Sequence, residues 1–287
     1  MKWDKMRRSE NVEDVRGSSP IGRGTGIGLG GLVVALVASA IFGVNPITVL
    51  NIMQGISSAP TPSVQQQPAQ KGIRDQESEF VKAVLGDTED TWSTIFQQQL
   101  RTSYQPPRLV LFRDGVDSAC GMASTASGPF YCPPNQKVYL DMGFFQQIEA
   151  TAGSNADFAR AYAIAHEVGH HIQNQLGIAS QVHQAQAQSS KSEANALSVR
   201  LELQADCFAG IWGHHTAQRG LIGERDVEGA LNAAAQIGDD YLQKRSQGYV
   251  VPEAFTHGSS KERVRWFDKG LQSGSIRKCD TFAAAGL

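Results

Sequence analysis

Several things are missing from this chain, and each absence narrows what it can be. The 287 residues carry a formal net charge of −2 and the body has no extended basic tract, so nucleic acid is not an expected partner. There are only four cysteines, none in a Cys-x-x-Cys pair, which argues against zinc–thiolate clusters and dithiol redox chemistry. No internal repeat is visible. Between Arg23 and Lys71 there is no Asp, Glu, Lys or Arg at all, and an uncharged run of that length points towards a membrane.

The stretch Gly24–Leu50 is 27 residues long and largely apolar, whereas a helical span needs roughly 20 such residues. It is therefore expected to be a transmembrane helix (24–50). It follows a polar tail (1–23) that carries Lys2, Lys5, Arg7, Arg8, Arg16 and Arg23 against Asp4, Glu10, Glu13 and Asp14. A secretory signal is the alternative, with ALVASA as its cleavage region. The polar head is long for one, and the apolar stretch continues past that point. Basic residues ahead of the span place the tail in the cytoplasm and the body outside. The expected location is the inner (cytoplasmic) membrane, single-pass, with a periplasmic or extracellular catalytic domain. Gly22, Gly26 and Gly30 recur every four residues, a candidate contact for a helix-mediated homodimer. Residues 51–72 are polar and dotted with proline, a linker composition, and the soluble domain is expected over 73–287.

An even number of cysteines in an exported domain favours disulfides. Cys120 and Cys132 bound a short Gly/Ser/Pro-rich loop, leaving Cys207 and Cys279 as the second pair. The 41% apolar content is enough for a sizeable core. Periodicity predicts helices over 77–99, 155–176, 190–219 and 225–243 and a short one in KERVRWFDKGL, with strands at 108–112 and 137–145. Ser154 with Asp157 and Ser190 with Glu193 are capping boxes, and Gly177 and Gly220 are stops. The state of 178–190 is left open. The fold class is α+β, mostly helical with a small sheet placed early.

The helix at 155–176 contains AHEVGHHIQ. His166 and His170 lie one turn apart on one face and can give two nitrogens to one tetrahedral ion. Glu167 between them is placed to reach a water on that ion. A third ligand is needed, and RLELQADCFAG on the next long helix offers it. Glu202 and Asp206 are again four apart, among apolar residues that mark a buried helix, and buried carboxylates need partners. Glu202 is the candidate ligand; Asp206 would accept the N–H of a ligating histidine and fix its tautomer. A His-Glu-x-x-His-x-x-Gly-x-x-His arrangement is excluded, because Gln173 and Leu176 stand where its glycine and last histidine belong. His171, His183, His214 and His215 are lesser alternatives as ligands.

HEVGHH, LELQADCFAGIW and the later THGSSKERVRWF together resemble the bacterial neutral zinc metallopeptidase family, membrane-anchored proteins with a zincin-like catalytic domain. The resemblance covers essentially the whole chain. It implies Zn²⁺ held by His166, His170 and Glu202, with Glu167 as catalytic base, Asp206 in support, and a protein or peptide substrate. His257 is the candidate donor to the tetrahedral oxyanion, since related zincins carry a histidine in a similar late motif. By the same analogy an extended substrate pairs with the strand edge at Lys137–Asp141, near the cysteine-bounded loop. Two other readings stay open: a non-catalytic zinc-stabilised scaffold or binding module, and a zinc hydrolase of a non-peptide bond.

Overall fold

Eight helices and six short strands make up the computed structural model, which describes residues 1–17, 75–124, 128–152, 156–236 and 238–283. The expected span 24–50, its glycines, the linker 51–72 and Ser154 of the first capping box lie outside the described residues. Among the described residues no helix is long and apolar enough to cross a membrane.

The helices follow local chemistry. Asp75 accepts from the Ser78 amide and starts α1 (Gln76–Ile95), which closes in a π-helical turn, Phe96–Leu100. Helix α3 (Ala156–Gln175) stops at Gly177, whose φ of 75° is left-handed. Residues 178–190 resolve into a further helix, α4 (Ile178–Gln186). The Ser190–Glu193 capping box is formed and opens α5 (Lys191–Gln218). A second box, Ser259 with Glu262, opens α8 (Ser260–Ser273).

Two expected elements end differently. The strand from Lys137 stops at Asp141, whose side chain accepts from the Gly143 amide at 2.5 Å. The backbone turns there into α2 (Met142–Ala152). The single helix expected over 225–243 is two, α6 (Glu224–Gln236) and α7 (Asp239–Gln247). At the break Gly238 packs against Ser260 so closely that a Cβ would lie 2.3 Å from the Ser260 nitrogen. Asp240 then accepts from the Ser260 amide at 2.7 Å, so the break anchors the start of α8.

The main sheet has the order β1 (Val12–Asp14), β2 (Arg108–Phe112), β6 (Lys137–Asp141), β5 (Phe130–Cys132). The first two pairings are parallel and the last antiparallel. A separate hairpin joins β3 (Gly115–Ser118) to β4 (Gly121–Ser124). β6 is therefore bonded on both sides along Lys137–Tyr139, and over that part the expectation that Lys137–Asp141 forms a free edge is corrected: on that side of the sheet the edge is β5.

The polar tail also differs from expectation. Met1–Gly17 belongs to the same compact unit as Gly72–Leu287. β1 pairs with β2, Met6 is buried, and Trp3 meets Phe80 edge-on at 5.7 Å. Arg7 donates to Glu89 at 2.7 Å and to the Gly86 carbonyl at 3.1 Å. Ser9 and Asn11 bond the other Glu89 oxygen. Among the described residues, Met1–Gly17 thus packs as part of the same body as the residues expected to form the soluble domain.

The core lies between the sheet and the helices around Trp92, Phe158, Phe208 and Trp212, all essentially fully buried. Both expected disulfides are present, Cys120–Cys132 and Cys207–Cys279. With loops of 12 and 72 residues, the chain-entropy model assigns them about 3 and about 4 kcal/mol.

Candidate metal centre

The centre forms where α3 crosses α5. At Gly169, inside the His-Glu-x-x-His run, a Cβ would lie 2.9 Å from the Ala205 carbonyl oxygen. The helices could not approach this closely with a larger residue there. The crossing puts His166 and His170 opposite Glu202 and Asp206. Ligand atoms of His166, His170 and Glu202 all lie within 4.8 Å of one another. His166 Nε2 is 3.1 Å from one Glu202 oxygen and His170 Nε2 is 3.3 Å from the other.

Asp206 is fully buried and accepts on Oδ1 from His166 Nδ1 at 2.9 Å. That bond leaves Nε2 of His166 aimed at Glu202, 3.1 Å away. The buried charge on Asp206 is met by Arg263 of α8, whose Nε and Nη2 each donate to it at 2.9 Å. The Tyr162 hydroxyl donates to the same carboxylate. α8 can deliver Arg263 because it lies almost against α5: a Cβ on Gly270 would fall 2.0 Å from the Cys207 carbonyl oxygen.

The electrostatics follow from this packing. Burial alone would lower the His166 pKa, yet Asp206 and Glu202 push it up to about 10. Burial would likewise raise the Glu202 carboxyl, but His170 and His166 hold it well below the usual carboxylate range. Two imidazole nitrogens and one carboxylate oxygen, with each ring's Nδ1 bonded elsewhere, are a donor set suited to zinc in a site that keeps a coordination position open.

The triad sits on the wall of a cleft of about 580 Å³, which Glu167 and His257 also line. Phe130 and Tyr131 of β5 form part of another wall, so the disulfide-bounded loop does border the cleft. His257 is half-exposed, and its Nδ1 lies 3.2 Å from Asp239. Asp239 Oδ2 accepts from the backbone amides of Thr256, His257 and Gly258 at 2.7, 2.6 and 3.0 Å. The hydrogen bond to Asp239 raises the His257 pKa, against the opposing effect of burial.

The remaining histidines stand outside the triad. His171 bonds the Tyr131 hydroxyl and the Gln105 carbonyl, which ties β5 to α3, and burial lowers its pKa. His183 lines the cleft. His214 and His215 bond carbonyls of Leu271 and Gly274. The sequence alone gives no role to Arg263, Tyr162 or Asp239, and Gln173 enters it only at a failed glycine position. The available signal for Arg263 was the buried Asp206, which required a cation from somewhere.

Comparison with known proteins agrees with the geometry. The family model described as "Putative neutral zinc metallopeptidase" matches residues 1–282, and the chain belongs to that family. Family and triad together support a zinc-dependent peptidase. The chain is 44% identical over 291 residues to the uncharacterized protein YpfJ of Escherichia coli K12, covering 98% of this chain and 99% of that protein. It is 41% identical over 199 residues to the uncharacterized protein Rv2575 of Mycobacterium tuberculosis H37Rv, covering 66% of each. No solved structure matches it.

Proposed function

We propose that this protein is an exported, membrane-attached zinc endopeptidase in which Glu167 is the general base and His257 the oxyanion donor. The observation that carries the reading is the triad of His166, His170 and Glu202 on the wall of an open cleft beside Glu167. A structural zinc site is closed by four protein ligands and has no use for an adjacent carboxylate. When bound, zinc supplies Lewis acidity to a water and to the scissile carbonyl.

The chain's own residues supply the rest. Glu167 takes a proton from the attacking water and hands it to the departing amine. His257, protonated and oriented by Asp239, donates to the oxygen of the tetrahedral intermediate. Asp206, Arg263 and Tyr162 keep the His166 ring from turning. An extended peptide would add to the outer edge of β5, reached through Phe130 and Tyr131, with Gly128 and Pro129 allowing close approach.

The test is metal content and cleavage of an unfolded protein by the full chain and by Glu167→Gln. Zinc near one per chain in both, with cleavage reduced about 10²–10⁴-fold in the variant, is expected. Zinc bound without cleavage by either would favour the scaffold. Absence of zinc from folded protein after metal is resupplied would overturn the site.

The two disulfides support an oxidising compartment, and the apolar stretch 24–50 supports attachment to the membrane. A single crossing, however, would put Met1–Gly17 and the body on opposite faces, and β1 could not then pair with β2. We therefore place both on the outer face. An impermeant amine reagent applied to spheroplasts, read at Lys5 and Lys261, should label both. Labelling of Lys261 alone would restore the single crossing, and labelling of neither would place the whole body in the cytoplasm.

A further inference from the structure

His166 owes its orientation to Asp206, and its partner on the same helix needs an equivalent. The residue in that place is Gln173, one turn further along α3 and fully buried. His170 Nδ1 lies 2.9 Å from Gln173 Oε1. We propose that Gln173 is the positioning residue for His170, holding it in the tautomer that leaves Nε2 free for the metal. The proposal rests on the metal site described above.

The direction of the amide is fixed by its neighbours. Gln173 Nε2 is 2.6 Å from the Leu201 backbone carbonyl and 3.1 Å from Gln204 Oε1. A backbone carbonyl can only accept, so the atom facing Leu201 is the NH₂ and the atom facing His170 is the oxygen. Gln204 is oriented in the same way, because its own Nε2 donates to the Cys279 carbonyl at 3.0 Å. Its oxygen therefore turns towards Gln173. Two obligate acceptors, Leu201 and Cys279, thus set a one-way chain of hydrogen bonds that ends by requiring a proton on Nδ1 of His170. Nε2, 3.3 Å from Glu202, is left as the nitrogen that can give its lone pair to a metal.

The two histidines are consequently supported by unlike groups. His166 rests on a carboxylate neutralised by Arg263, whereas His170 rests on a neutral amide. Glu167, Glu202 and Asp206 already place three carboxylates close together, and an amide orients the second ring without adding a fourth. Gln204 stands on α5 three residues before Cys207, and its acceptor belongs to Cys279, so the disulfide holds in register the carbonyl that terminates the chain.

The test compares zinc affinity, by chelator competition, for wild type, Gln173→Leu and Gln173→Glu, alongside the thermal midpoint of each metal-free protein. Loss of a group that orients a metal-bound histidine costs about 10–100-fold in affinity, and Gln173→Leu is expected to show it. Gln173→Glu keeps an acceptor on Nδ1 while losing the donor to Leu201, so it should bind zinc within a few-fold of wild type even if its midpoint falls. Equal weakening in both variants, or none in Gln173→Leu, would overturn the proposal. Where Gln173→Leu does not fold, nitrogen NMR of His170 in zinc-loaded wild type decides. A proton on Nδ1 with the metal on Nε2 is expected, and the reverse assignment rejects the role. If wild type binds no zinc, the metal reading itself fails instead.

Discussion

Two aspartate–histidine pairs border the cleft, and they are built by opposite means. Asp206 is fully buried and is bonded by His166, Tyr162 and both arms of Arg263. Asp239 instead gathers three backbone amides of one loop and touches an imidazole that stays half-exposed. A saturated pair of this kind fixes a ring and gives it no freedom. A pair that fixes only the loop leaves the ring able to meet a transient charge. The first suits a metal ligand and the second a proton donor.

Breaking the first pair should have the larger effect. Asp206→Ala strands a buried guanidinium and is expected to cost about 3–5 kcal/mol of stability, together with zinc affinity. Chemical denaturation of the metal-free protein and chelator competition measure the two losses. If stability is unchanged, the Arg263–Asp206 bond is not the support described. Breaking the second should spare zinc and stability. His257→Ala is expected to lower kcat by roughly 10²–10³-fold, the scale of losing one oxyanion donor, with one zinc per chain retained. A variant with wild-type kcat would remove His257 from the mechanism.

Smaller effects sharpen the contrast further. The hydrogen bond to Asp239 raises the His257 pKa, so His257 stays protonated to higher pH than a free histidine. The donation proposed for the protonated ring would be present below that pKa and lost above it. In Asp239→Asn the alkaline limb of kcat should therefore move to lower pH, and a limb that stays in place would uncouple the two residues. On the other side, protons compete with metal for His166 up to about 10, so zinc affinity should tighten steadily as pH rises through neutrality. Isothermal titration at several pH values, with the released protons counted, checks this.

What the sequence made legible was what one helix encodes by itself. His166 and His170, and then Glu202 and Asp206, are spaced by one helical turn, and the Ser190–Glu193 box marks where the second helix starts. Each pair needs only the local period to be placed on a common face. Arg263 meets Asp206 across 57 residues and Asp239 meets His257 across 18, and no local period announces either. Gln173 was visible only as a failed glycine position, since its value lies in a hydrogen bond whose direction depends on the facing helix. The sheet was least legible. β1 is three residues long, too short for a period, and its partner is about a hundred positions away. β6 alternates as an edge strand would, yet pairing on both sides is decided by β2 and β5.

The place of β1 bears on how this protein can be handled. Shortening the chain to start at residue 73 would seem to isolate the catalytic body. It would also strip the outer partner from β2, whose Leu109 and Leu111 are fully buried, and bare a row of amides and carbonyls beside apolar side chains. Such an edge is a template for another copy to add to, so the trimmed protein should aggregate where the intact chain stays dispersed.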